Sequence, residues 1–129
     1  MFNRNGFTNV FSALALATCS AFAASSAVAA ADFPTGTYAA KGLTVTFDDK
    51  GQFRVHKGEA MEVEGEYTVN ADQLQLTDQS GPEACTGADQ ATGTYGWKYD
   101  NATLTFRKVA DKCDARSKDL TAQPWKKKP

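Results

Sequence analysis

Ten residues, DKCDARSKDL from Asp111 to Leu120, bring together a thiol, a guanidinium and three carboxylates. That is the make-up of a nucleophilic site, because a neighbouring cation lowers a cysteine's pKa and a carboxylate can hold or accept a proton. The same letters fit a structural clasp. In that reading Asp111 caps a helical turn, Cys113 is tied in a disulfide, and Arg116 folds over the end of the molecule toward aromatic rings or a carboxylate. Other residues able to do chemistry are scattered: the single histidine His56, the carboxylates Glu59, Glu62, Glu64 and Glu66, and the aromatics Tyr38, Tyr67, Tyr95, Trp97 and Tyr99. What decides among these readings is the scaffold that positions them.

From Gly36 onward the hydrophobic period is two. LTVTF sets Leu43, Val45 and Phe47 against Thr44 and Thr46, and QFRVH sets Phe53 and Val55 against Arg54 and His56. EVEGEYTV, QLQLT, GTYGWKY and TLTF continue the alternation, giving an inward set that adds Val63, Tyr67, Val69, Leu74, Leu76, Tyr95, Trp97, Tyr99, Leu104 and Phe106. This pattern marks antiparallel strands with one wet and one dry face. Turn residues between them (DDKG, KGEA, NADQ, YDNA) force neighbours to pair as hairpins. Strands are expected near 36–40, 43–48, 52–58, 62–70, 73–78, 91–99, 102–109 and 122–127. With no amphipathic helix to cover them, their apolar faces are buried most simply by closure. The expected fold is all-β, an eight-stranded antiparallel meander barrel with a short helical turn before the last strand.

That frame sorts the candidates. His56 and Arg54 fall on the outer face, and no serine or cysteine is set beside the histidine, so a nucleophile, base and orienting group cannot be assembled from local spacing. One histidine excludes a two-histidine metal site. The glutamate stripe is also outward, with Arg54 expected opposite Glu66 and His56 opposite Glu64, as exposed pairs worth a fraction of a kcal/mol. The inward rings either pack as a core or line a cavity, and Tyr38, Tyr67, Tyr95, Trp97 and Tyr99 are the expected liners, their polar tips orienting a small molecule. No catalytic residue, metal ligand or cofactor is expected.

The first 29 residues read as a secretory signal: one cation, Arg4, an apolar run from about Val10 to Ala24, and small residues through Ala27, Val28 and Ala29. LATC, Leu16 to Cys19, has some likeness to a lipidation box, but Thr18 is large for its position and an apolar stretch follows in place of a polar tether. The domain is then 30–129, periplasmic or secreted. Cys85 and Cys113 are its only thiols, and an even pair in an exported chain reads as a disulfide. Of 14 cations Arg4 is in the signal, so thirteen face 15 acids, a net charge of about −2. That balance points away from nucleic acid, and the apolar run is too short for stable membrane insertion.

GTY at 36–38, GEY at 65–67 and GTY at 93–95 recur at intervals of 29 and 28 residues. Glycine gives a strand room to bend at a barrel corner, and the tyrosine two positions on shares its face. A signal segment, an eight-stranded meander with GTY in its first strand, and a helical turn carrying Arg116 before a last strand with Trp125 together resemble the calycins, the lipocalin and avidin group of barrels. The string GPEAC…GTYGWKYDNATLTFRKVADKCDAR…W is similar to small secreted bacterial lipocalin-like domains of unassigned function, over Gly36 to Trp125. The resemblance implies a non-enzymatic barrel binding a small hydrophobic molecule. It also implies that Tyr38 stands where the family usually has tryptophan, with Arg116 packed across its ring. The alternative is a protein-binding module, such as a periplasmic protease inhibitor, that reaches a secreted protein partner with ADFPTG ahead of the first strand.

Overall fold

The period-two pattern becomes strands, and the turn residues between them set how the strands pair. A computed structural model describes residues 32–129; the expected signal segment and Cys19 lie outside the described residues. In order the elements are β1 (Gly36–Ala40), β2 (Leu43–Phe47), β3 (Gln52–Lys57), β4 (Ala60–Asn70), β5 (Gln73–Ser80), β6 (Thr92–Asp100), β7 (Thr103–Ala110), α1 (Asp114–Thr121) and β8 (Trp125–Lys127). The eight strands form one closed antiparallel barrel, each paired with its sequence neighbours and β8 returning to β1. Two hairpins use turns whose central residues are both left-handed: Lys41 and Gly42 (φ 44° and 79°) and Asn101 and Ala102 (φ 49° and 56°). Such turns match the right-handed twist of the flanking strands, so they fix register without splaying them.

Three expectations are corrected. The last strand begins at Trp125, not at 122, because α1 runs to Thr121 and Ala122 keeps helical backbone (φ −65°), its N–H bonded to Lys118 O at 3.0 Å. In the β3–β4 hairpin Arg54 faces Glu64, not Glu66, and His56 faces Met61, not Glu64. A register shift between Val55 and His56 accounts for part of this, since a bulge changes which residues stand opposite. Asp111 does not cap α1 either. The cap position belongs to Cys113, which makes no side-chain capping bond.

The core consists of Tyr38, Val45, Phe47, Phe53, Leu74, Leu76, Tyr95, Leu104 and Trp125, all essentially inaccessible to water. Tyr99 departs from the expected inward set at 40% exposure. It pairs with Leu104 near the β6–β7 turn and touches the core only edge-on, its ring centroid 6.4 Å from that of Tyr38. The repeated glycines make room for neighbours: a Cβ at Gly65 would overlap Thr77 O and the Phe53 ring, and one at Gly93 would overlap the Asp111 carboxylate. Tyr38 and Tyr95, two positions after a glycine of the repeat, are both fully buried.

Candidate functional site

The two ends of the barrel differ. At the end carrying the β2–β3, β4–β5 and β6–β7 turns, the chain ahead of β1 folds in and Phe33 enters an aromatic cluster. Its ring lies 5.0 Å from Phe47, 5.5 Å from Tyr67 and 5.1 Å from Trp97. The Tyr38 hydroxyl donates to Pro34 O and holds this segment in place, and the Tyr67 hydroxyl donates to Asp48 O. Burial and the neighbouring Tyr99 push the Tyr38 phenol up to about 12. This end is plugged by aromatic rings.

The opposite end carries the β1–β2 and β3–β4 turns, the long β5–β6 connection and α1, and it opens into a cavity of about 580 Å³. Its apolar wall comes from alternate residues of successive strands: Leu43 and Val45 of β2, Phe53 and Val55 of β3, Val63 of β4 and Leu76 of β5. Leu120 of α1 and Trp125 of β8 complete the wall, and the Trp125 indole N–H donates to Leu120 O at 3.1 Å, tying helix to barrel. Around the mouth stand Lys41 and Lys57 on the β1–β3 side, Glu62, Asp78 and Glu83 on the β4–β5 side, and Lys118 and Asp119 from α1.

One wall of this cavity is an ion cluster. The Arg116 side chain is buried, as are those of Asp78 and Asp111. Arg116 Nε donates to Asp111 Oδ2 at 2.7 Å, and Nη2 to Asp111 Oδ1 at 2.7 Å and to Gln90 O at 2.8 Å. Nη1 donates to Ala91 O at 2.9 Å and lies 3.1 Å from Asp78 Oδ1. Asp111 also accepts from the Tyr95 hydroxyl and from the Cys113 N–H at 2.8 Å. Burial acts to raise the Asp111 pKa, but the Arg116, Tyr95 and Cys113 hydrogen bonds outweigh it and hold the carboxyl below its usual value. Burial likewise acts to lower the Arg116 pKa, and the two carboxylates more than reverse that. Burial, then the hydrogen bond to Asp111, raises the Tyr95 phenol.

The disulfide between Cys85 and Cys113 spans a Cα–Cα distance of 6.2 Å beside this cluster. The Cys85 N–H donates to Asp78 Oδ2 at 2.8 Å. The covalent bridge and the ion cluster therefore hold the same two long connections to the barrel, Cys113 serving the bridge and Asp111 and Arg116 the cluster. Arg116 does not pack across Tyr38, as the calycin resemblance implied. The cation beside Tyr38 is Lys127, 6.0 Å from the ring centroid and also 5.9 Å from that of Tyr99. Arg116 is drawn away because two buried carboxylates need its charge more than an aromatic face does.

The five aromatics expected to line a ligand site stand elsewhere. Tyr67, Trp97 and Tyr38 belong to the plugged end, Tyr95 lies under the ion cluster and Tyr99 is exposed, while the cavity walls come from aliphatic residues, Phe53 and Trp125. The segment considered as a reach toward a protein partner is docked on its own barrel at Phe33 and Pro34. Sequence reasoning missed Phe33, whose signal was an aromatic next to a proline just ahead of the first strand. It also missed Asp78, which continues the inward phase of Leu74 and Leu76 and so places a carboxylate where a hydrophobe is expected. Among the described residues, no group of three or more His, Cys, Asp or Glu is placed to hold a metal ion, and no helix is long and apolar enough to cross a membrane. Compared with protein-family models, with curated proteins and with solved structures, the chain matches none.

Proposed function

We propose that this protein is an exported, non-enzymatic binding barrel of calycin type that takes a small hydrophobic molecule into its open end. The observation that carries the reading is the asymmetry of the barrel: aromatic rings plug one end, while an apolar-walled cavity of about 580 Å³ opens at the other. Binding pockets for small molecules span roughly 300–1,000 Å³ and combine an apolar wall with a few polar groups, which is the composition found here. Export is supported by the signal-like leader and by a disulfide, which persists in oxidising compartments. The non-enzymatic reading rests on the commitments of the polar groups. His56 stands on the outer face opposite Met61, and the Tyr95 hydroxyl and the Arg116 donors are spent inside the clasp.

The test is uptake of a neutral apolar fluorophore, N-phenyl-1-naphthylamine, by the folded domain. The expected result is saturable binding with Kd of about 1–10 µM, lost in Val63→Trp, which fills the cavity while the thermal transition persists. Absence of saturable uptake by the unaltered protein, or uptake that survives Val63→Trp, overturns the reading.

A further inference from the structure

We infer that the occupant of the cavity is a hydrophobic molecule with a hydrogen-bond-donating head, a protonated amine in preference to an alcohol and to the exclusion of a carboxylate. The inference rests on the cavity reading above and adds the polarity of the ligand.

Asp78 lines the cavity and is 5% exposed. Its Oδ2 accepts the Cys85 N–H, whereas its Oδ1 and the Trp97 indole nitrogen are the two buried side-chain polar atoms among the described residues without a hydrogen-bond partner. Arg116 Nη1 donates one N–H to Ala91 O and lies 3.1 Å from Oδ1 as an ion contact, which leaves this oxygen a lone pair to spare. A buried carboxylate oxygen with an unused lone pair beside a cavity is the group a ligand's N–H or O–H would reach. The donors on the same wall are committed: four of the five Arg116 N–H groups donate to Asp111 or to backbone carbonyls, and the fifth is on the Nη1 that lies 3.1 Å from Asp78 itself. A carboxylate head would find no free donor there, and an ammonium head would find a free acceptor.

Charge points the same way. Asp78 and Asp111 share one guanidinium, so the buried cluster carries a net charge of −1. Glu62 and Glu83 add negative charge on the same side of the mouth, joined by the bond from Glu83 N–H to Glu62 O at 3.0 Å. Lys41, Lys57 and Lys118 also stand on the rim, but all three are exposed, as are the acidic Glu83 and Asp119. Water screens their charge, whereas charge at a buried wall acts through a lower effective dielectric. The head group is therefore selected by Asp78 and the buried cluster it belongs to.

The experiment is displacement of N-phenyl-1-naphthylamine from the disulfide-bonded protein at pH 7 by decylamine, decanol and decanoate, three probes with one tail and different heads. Decylamine should bind at least ten-fold more tightly than decanoate, with decanol between them. Asp78→Asn, which keeps the shape and removes the charge, should bring the amine-to-carboxylate ratio down about ten-fold. Because Asp78 also steadies the clasp, Glu83→Gln is a second variant, and it should lower the ratio by a smaller factor. A ratio near one in the unaltered protein, or tighter binding of decanoate, overturns the inference and leaves hydrophobic uptake standing. Failure of the fluorophore itself to bind overturns the cavity reading and this inference with it.

Discussion

Replacing Arg116 with alanine removes the one cation that two buried carboxylates share. In the intact protein Asp111 receives two charge-assisted bonds from this side chain and Asp78 an ion contact, and the carbonyls of Gln90 and Ala91 are bonded as well. After the substitution Asp111 keeps only the Tyr95 hydroxyl and the Cys113 N–H, and Asp78 only the Cys85 N–H. Breaking a buried pair in this way costs about 3–5 kcal/mol, because an uncompensated charge is left behind. A domain of this size is stable by roughly 5–10 kcal/mol, so the loss is a large share of the whole. At roughly 4–8 °C per kcal/mol, the melting temperature should fall by about 12 °C or more.

The loss should also depend on pH. In the intact protein the depressed Asp111 pKa contributes stability that is present above the unfolded value of about 3.9 and is lost as pH falls through the folded one. Without Arg116 the strongest bond opposing the burial of Asp111 is gone, so its carboxyl is expected to titrate above the unfolded value, its protonated form is favoured by folding and the variant loses stability as pH rises. Both effects make the difference between the two proteins larger at high pH. Urea unfolding of the oxidised proteins at pH 4.5 and pH 8 measures it directly. A difference below about 1 kcal/mol at pH 8, or one equal at both pH values, refutes the assignment of Arg116 as the charge that holds the clasp.

Phe33→Ala should destabilise the domain by about 2 kcal/mol, less than the 3–5 typical of a fully buried phenylalanine because this ring is only partly buried. Calorimetry measures the loss, and retention of fluorophore uptake at the opposite end would show that the two ends act separately. Ala102→Gly should stabilise the protein by roughly 0.5–1 kcal/mol in urea, because Ala102 sits at φ 56°, where a Cβ is unfavourable.

The barrel was legible because alternation reports directly which face of a strand a residue occupies. Val45, Phe47, Phe53, Leu74, Leu76 and Leu104 are all buried as their phase requires. Alternation says nothing about height along the barrel axis, which is why Tyr67 and Trp97 were placed with the ligand although they belong to the plug. Which end is open depends on where Phe33 and α1 come to rest, and both are fixed by contacts distant in sequence. The Cys85–Cys113 bridge followed from counting thiols. Arg116 was recognised as part of a clasp, but its carboxylate partner Asp78, on β5, lay beyond any local spacing argument.

The seam between β8 and its neighbours is short: Tyr38 and Ala39 pair with Lys127 and Lys126, and Thr103 and Leu104 with Lys126 and Trp125. All strand pairings but one join sequence neighbours, most of them as hairpins, whereas the β1–β8 pairing must bring together opposite ends of the domain. Until those few C-terminal residues dock, the molecule is an open sheet with β1 and β7 as bare edges, each offering unpaired N–H and C=O groups to another chain. The last strand thus adds few backbone pairs to the fold, yet its arrival separates a self-contained barrel from a species prone to edge-to-edge aggregation.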